Sequence, residues 1–251
     1  IWLCYSISAL EGDDFVAPAF GFLMAGFETS SSTMCFALYE LALQPNLQER
    51  LRTEILEVME KYDNEVTYDG IQEMKYLDMV VSGKLTYLIK RAANGYRLML
   101  LMLSDMDETL RKYPILPFLD RKNMKDYDLP HPSGKGTVTI PAGTGVYIPL
   151  LGTQYDPDIF PDPDRFDPER FSEQNKNSFN SYAYLPFGEG PRFCIGKRFG
   201  LMQTKTGLIH LFSRYEVSPC KETPVPLVMN KKAFVVASVE AIPLTFKRLA
   251  T

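Results

Sequence analysis

The sequence predicts a mainly α fold with small β-sheets, and three observations carry that prediction. A long apolar run, Phe15 to Leu43, is followed by an amphipathic run from Leu47 to Val58. A second helical pattern, Ile195, Phe199, Met202, Leu208 and Leu211, lies in the last quarter. The strand signals are short: Thr137–Ile140, Val146–Ile148, Phe234–Ala237 and Ile242–Phe246, enough only for small sheets.

The run from Phe15 to Leu43 is broken only by small and hydroxyl residues and stops at Gln44-Pro45, where proline cannot continue a helix. Being apolar nearly all round, it is expected to be a buried helix. Next, Leu47, Leu51, Ile55 and Val58 recur at helical spacing, with Gln48, Glu49, Arg50, Arg52 and Glu54 on the other side, so a surface helix is expected. Thr67 or Asp69 can cap one further helix carrying Ile71, Met74, Leu77 and Val80/Val81. Pro141-Ala142-Gly143-Thr144-Gly145 separates two strand signals as the turn of a hairpin would. The proline- and aspartate-rich stretch Tyr155 to Phe171 reads as ordered coil, and the tail as short strands. No internal repeat is visible, and residues 1–251 are expected to form a single domain.

Composition sets outer limits. The chain of 251 residues is 45% hydrophobic and 23% charged with a net charge of -4, an ordinary soluble globular balance with nothing that suggests a nucleic-acid partner. Cys4, Cys35, Cys194 and Cys220 lie far apart without a C-x-x-C pair, so neither a zinc site nor a disulfide framework is expected, and a reducing compartment fits. Ile1 to Leu10 are apolar but short and lack a basic leader; neither a signal peptide nor a spanning helix is expected there.

The most informative ten residues are Phe187-Gly188-Glu189-Gly190-Pro191-Arg192-Phe193-Cys194-Ile195-Gly196. Gly188, Gly190 and Gly196 offer backbone conformations closed to other residues and let the chain approach a ligand. The helix pattern beginning at Ile195 turns unpaired N–H groups and a positive dipole end toward the sulfur, which favours an anionic sulfur. Arg192 is placed to meet an anionic edge group, and Phe187 to pack on a ring or shield the sulfur. The bland alternative is a glycine-rich turn with an inert, buried cysteine. Elsewhere, Ala25-Gly26-Phe27-Glu28-Thr29 sets an acid beside a hydroxyl in an apolar run, an expensive pair to bury. Its bland alternative has Thr29 bonding back to a main-chain carbonyl and Glu28 in solvent. Glu108 and Arg111, three apart, taken alone make a surface pair worth about 0.2–0.5 kcal/mol.

Together these segments resemble the cytochrome P-450 family. Phe187, Gly190, Arg192, Cys194 and Gly196 coincide with its F-x-x-G-x-R-x-C-x-G signature, Ala25 to Thr29 with its [A/G]-G-x-[D/E]-T helix pattern, and Glu108 and Arg111 with its E-x-x-R pair. Phe166-Asp167-Pro168-Glu169-Arg170-Phe171 supplies the downstream P-E-R-F arginine. The resemblance implies haem b (iron protoporphyrin IX) as cofactor and Cys194 as its axial thiolate, which favours O–O cleavage. It implies propionate contacts from Arg192 and Arg121, the latter at the end of Tyr113 to Arg121, whose apolar residues line the substrate pocket. Ala25 and Gly26 would leave a groove for oxygen, Glu28 and Thr29 would support proton delivery, and Gly190 and Gly196 would shape the loop. Glu108, Arg111 and Arg170 would form a bidentate structural network.

The likeness runs from about Gly12 to Lys247 and implies the C-terminal half of the cytochrome P-450 fold, of the microsomal type and most similar to the insect xenobiotic-metabolising branch. Two departures matter. The family's N-terminal half, with its membrane anchor and pocket-closing elements, is not matched, which implies an open distal chamber. Residues 83–107 intervene where the family reads from Val80-Val81-Ser82 straight into Glu108, and residues 1–10 resemble nothing expected before the helix. The implied partners are an NADPH-dependent flavoprotein reductase, met by Lys197, Arg198 and Lys205, together with O2 and a lipophilic small molecule. The implied location is the cytoplasmic face of the endoplasmic reticulum membrane. Two other readings stand beside a monooxygenase: a reductase-independent peroxide isomerase or lyase on the same scaffold, and an inactive fragment that holds no haem.

Overall fold

The computed structural model describes residues 14–81, 107–172, 174, 175 and 178–249. In chain order the elements are α1 (Val16–Leu43), α2 (Pro45–Lys61), α3 (Tyr68–Glu73), α4 (Lys75–Val81), α5 (Glu108–Lys112), β1 (Leu119–Lys122), β2 (Tyr127–Pro130), β3 (Thr137–Ile140), β4 (Gly145–Ile148), α6 (Leu150–Gln154), α7 (Lys197–Phe212), β5 (Tyr215–Pro219) and β6 (Leu244–Arg248). The expected class holds: helices supply most of the core, and among the described residues the strands form three two-stranded sheets.

The core is where α1, α2, α4 and α7 converge on Leu41, Leu51, Ile55, Leu77, Leu208, Ile209 and Phe212. Each such side chain contributes about 1.5–3 kcal/mol through burial. Pro45 begins α2 as the sequence implies, since its fixed φ suits a first helical position. The expectation of a helix buried along its whole length fails for α1. Phe36 to Ala42 are buried, but Phe20, Phe22, Leu23 and Phe27 are 60–67% exposed, because the described residues pack around the second half and along one narrow seam of the first.

Two polar residues assigned to the outer face of α2 turn inward. Gln48 accepts from the Val217 N–H (2.9 Å) and donates to the Val217 (2.7 Å) and Leu41 (3.0 Å) carbonyls. Arg52 donates to the Phe212 carbonyl at the end of α7. They satisfy backbone groups that would otherwise be buried unpaired where α1, α7 and β5 meet. The single helix expected after Thr67 is two. Thr67 caps α3 by accepting from Gly70 N–H at 3.0 Å, Met74 leaves helical geometry at ψ 82°, and the Glu54 carboxylate accepts the Tyr76 and Leu77 N–H groups to start α4 afresh.

The expected hairpin about Pro141–Gly145 is not formed. Its flanking strands belong to different sheets, β3 pairing with β2 and β4 with β1. Both pairs keep one register, so 119–148 is a long antiparallel ribbon whose turn lies at 131–136, where Gly134 and Gly136 supply φ of +71° and +77°. Asn123 holds the interruption together through its side-chain bond to the Ile140 carbonyl (2.8 Å), and Asp126 accepts from Ala142 N–H (2.8 Å). Among the described residues of the tail only β6 forms a strand, paired with β5. Phe234–Ala237 instead follows an irregular path tied down by Val236 N–H to the Ile115 carbonyl.

Candidate cofactor site around Cys194

The cysteine loop closes on itself before it meets anything else. Gly188 and Gly190 have φ of +67° and +74°, the left-handed region that glycine enters without penalty. These turns let Cys194 N–H donate to the Phe187 carbonyl at 2.8 Å. Gly196 differs from expectation: its φ of -85° is open to any residue, and it serves as the entry to α7. A Cβ there would lie 3.9 Å from Cys194 Sγ, so the sulfur leans back over the start of α7, whose first N–H groups have no helical partner. Cys194 is exposed, which removes the inert buried alternative. Phe187 packs against the core with the Lys197 ammonium 5.5 Å from its ring centre.

Two other elements reach this loop. From β1, Arg121 brings Nη2 to 3.8 Å from the position a Gly188 Cβ would take, so this arginine stands directly against the cysteine loop. Arg192 is exposed and has no ion-pair partner among the described residues. From above, α1 crosses α7. The Phe199 ring is 3.9 Å from a Gly26 Cβ position, Ser30 Oγ is 3.6 Å from one at Gly200, and Met34 Sδ is 2.5 Å from one at Gly207. The turn holding Ala25, Gly26, Glu28 and Thr29 therefore lies over the first turn of α7, a few residues beyond Cys194. Thr29 Oγ1 donates to the Ala25 carbonyl at 2.6 Å, as its bland reading had it, leaving its lone pairs to accept. Glu28 is exposed. Ser30, to which the sequence assigns no role, is buried with its hydroxyl unpaired among the described residues; as one of five consecutive hydroxyl residues, Thr29 to Thr33, it carried no distinguishing signal.

The Glu108–Arg111 pair is interior, contrary to its bland reading. Both side chains are 0% exposed. Arg111 donates through Nε and Nη2 to the two Glu108 oxygens, each at 2.8 Å, and its remaining donors go to the Gln154 (3.1 Å) and Pro163 (2.8 Å) carbonyls. Asp167 N–H adds a third bond to Glu108 at 2.9 Å. Burial pushes the Glu108 carboxyl up against the pull of these donors. Arg170 takes a different part from the one expected. Its Nε stands 3.7 Å from Glu108, an ion-pair distance, while Nη2 bonds the Asp162 carbonyl at 2.8 Å. Gln154, missed in the sequence because one polar residue in an apolar turn looks like surface, donates to the Leu110 and Arg111 carbonyls that end α5.

Lys205 also departs from expectation. It is buried and ion-paired with Asp78 of α4, so of the three cations assigned to partner docking only Lys197 and Arg198 remain.

The residues present suit a large flat group. A ring of that kind needs an axial donor, apolar walls and cations at an acidic edge. Cys194, the strongly exposed Phe193, Ile195 and Phe199, and Arg121 with Arg192 meet those needs on neighbouring surfaces. Sequence comparison matches residues 6–83 and 97–244 to the family described as Cytochrome P450. This chain belongs to the cytochrome P450 family. Among curated relatives, cytochrome P450 6j1 of Blattella germanica is 52% identical over 227 residues, covering 90% of this chain and 39% of that protein. Cytochrome P450 6k1 of the same organism is 47% identical, covering 94% and 39%. Probable cytochrome P450 6a13 of Drosophila melanogaster is 40% identical, covering 96% and 43%. The chain thus spans about two-fifths of the length of these relatives.

Proposed function

We propose that this chain carries the thiolate side of a haem-dependent monooxygenase that inserts one atom of O2 into lipophilic compounds, drawing electrons from an NADPH-dependent reductase. The observation that supports it best is the convergence of Cys194, Arg121 and the Gly26–Thr29 turn of α1 on one region from three separate elements. Cys194 would ligate the iron, with Arg192 and Arg121 on the propionates, Phe187 shielding the sulfur, and Gly190 and Gly196 shaping the loop. When bound, haem supplies the iron at which O2 is activated, and an axial thiolate favours O–O cleavage.

The chain's own residues do the rest. Ala25 and Gly26 leave space on the α1 face, and Glu28, exposed to water, takes up protons and passes them toward the Thr29 hydroxyl, whose lone pairs accept. Glu108, Arg111 and Arg170 fix the coil that leads to the loop. Lys197 and Arg198 offer positive charge to an acidic reductase. The endoplasmic reticulum membrane, with the site on its cytoplasmic face, is the location we assign; among the described residues no helix is long and apolar enough to cross a membrane. The unit is 1–251, with 83–107 as an insertion; the break between the matched spans supports it for 84–96, whereas 97–107 fall inside the second matched span.

A second reading is favoured by the strong exposure of Phe20, Leu23 and Phe27: with walls this open, residues 1–251 alone do not retain haem. Haem reconstitution followed by a reduced carbon-monoxide difference spectrum, with Cys194→Ala as control, separates the two. A red-shifted Soret band lost in the variant is the expected result. Its absence in the parent leaves family membership without a working site. Turnover of a hydroperoxide without reductase would point instead to a peroxide isomerase or lyase.

A further inference from the structure

Two carboxylates on α1 have opposite fates. Glu28 is exposed, whereas Glu40, in the apolar second half of the helix, is only 3% exposed. Its Oε1 accepts from the Tyr113 hydroxyl and pairs with the Lys112 ammonium at 2.7 Å, and its Oε2 accepts from the Gln44 amide at 3.4 Å. One turn before Glu40, the Phe36 ring lies flat on the Tyr113 ring, with centroids 4.3 Å apart and an interplanar angle of 5°. Burial and the neighbouring Glu40 push the Tyr113 phenol well up, so its proton stays in place as the donor. The far side of this contact is a fixed point, because Gln154 and Tyr155 hold the Leu110, Arg111 and Lys112 carbonyls at the end of α5.

We infer that Glu40 is a positioning residue: through Tyr113 and Lys112 it fixes the tilt of α1 against the segment 113–121, and with it the spacing between the Ala25–Thr29 turn and Arg121. That this spacing serves chemistry rests on the proposed reading of the Cys194 region. The contact matters because the first half of α1 has little other support, touching the described residues along one narrow seam. Leu23 lies 17 residues before Glu40, about 25 Å along a helix, so a tilt of about 10° at Glu40 carries it about 4 Å. A carboxylate is costly to bury, and an apolar side chain beside Phe36 and Tyr113 would avoid that cost. What it would lack is direction, since a hydrogen bond constrains angle as well as distance.

Pulsed electron–electron double resonance tests this in the full chain, with Cys4, Cys35, Cys194 and Cys220 changed to serine. Nitroxides at Leu23→Cys on α1 and Asp120→Cys on β1, both exposed positions, read the spacing. A second pair, Glu57→Cys on α2 with Asp120→Cys, is the control. No cofactor is present, so the outcome is independent of whether Cys194 ligates haem. The Leu23–Asp120 distance is expected to be single and narrow in the parent, and to shift or broaden by about 3–4 Å in Tyr113→Phe and in Glu40→Leu. Tyr113→Phe removes one oxygen and keeps the stacked ring, so it reports even where Glu40→Leu fails to fold. Glu40→Gln, whose amide oxygen still accepts from Tyr113, is expected to stay within about 1 Å of the parent. The control distance is expected to hold in every variant. A parent distance in Tyr113→Phe, a control pair that moves as far as the test pair, or a Glu40→Gln as displaced as Tyr113→Phe each overturns the inference.

Discussion

The Glu108–Arg111 clamp and the Cys194 loop belong to one proposed haem support, yet they stand at opposite extremes. In the clamp both side chains are wholly buried and the Arg111 donors go to the Glu108 carboxylate and to main-chain carbonyls, so it has little left to offer a ligand. In the loop the backbone is bonded internally, while Cys194 and Arg192 face outward. The contrast separates scaffolding from chemistry by a physical test: whether a polar side chain is already committed to the protein. By that test Glu108, Arg111, Gln154 and Lys205 are scaffold, and Cys194 and Arg192 are available.

The widest break in the comparison comes from Arg111→Met, which strands a buried carboxylate. Urea unfolding is expected to show a loss of about 3–5 kcal/mol, and a loss below about 1 kcal/mol would remove the clamp from the scaffold. Alkali tests the same region. Burial pushes the Tyr76 and Tyr155 phenols up to about 12 from an ordinary 10.0, and Tyr155 donates to the Lys112 carbonyl at the end of α5. A proton held more tightly in the folded state gives a contribution that is complete below pH 10 and lost as pH rises through 12. The thermal midpoint is expected to fall across that window and less so in Tyr155→Phe; identical profiles for parent and variant would count against a buried phenol.

Within the loop the effects are smaller. Gly190→Ala forces a side chain into left-handed backbone and is expected to cost about 1–2 kcal/mol, whereas Gly196→Ala is expected to stay within about 0.5 kcal/mol. Equal costs would mean that the loop relaxes away from its positive φ. Cys194→Ala is expected to change unfolding free energy by less than about 0.5 kcal/mol while abolishing the carbon-monoxide band, the reverse of Arg111→Met. A large stability loss from it would make the cysteine scaffold as well.

Sequence reading reached the loop because five fixed positions around Cys194 name one chemistry, and it reached the helix boundaries at Pro45 and Thr67 because those residues act locally. It failed where the deciding partner lies far along the chain. Gln48, Arg52 and Lys205 look like surface residues until Val217, Phe212 and Asp78 are seen beside them. The segment Pro141–Gly145 has the composition of a hairpin turn, but pairing with β1 and β2 carries the ribbon past it. Half of α1 was misjudged because an apolar segment reports only its preference for burial, and the surface that meets that preference is a matter of other residues.

That half of α1 has a consequence for handling the molecule. Val16, Phe20, Leu23, Met24 and Phe27 recur at helical spacing as one stripe, each 47–67% exposed. A stripe of that kind in water attracts its own copies and the holding chaperones of a cell. Protein concentration, as much as temperature, will set how long the chain stays monomeric, and a mild detergent that coats the stripe is expected to lengthen that time.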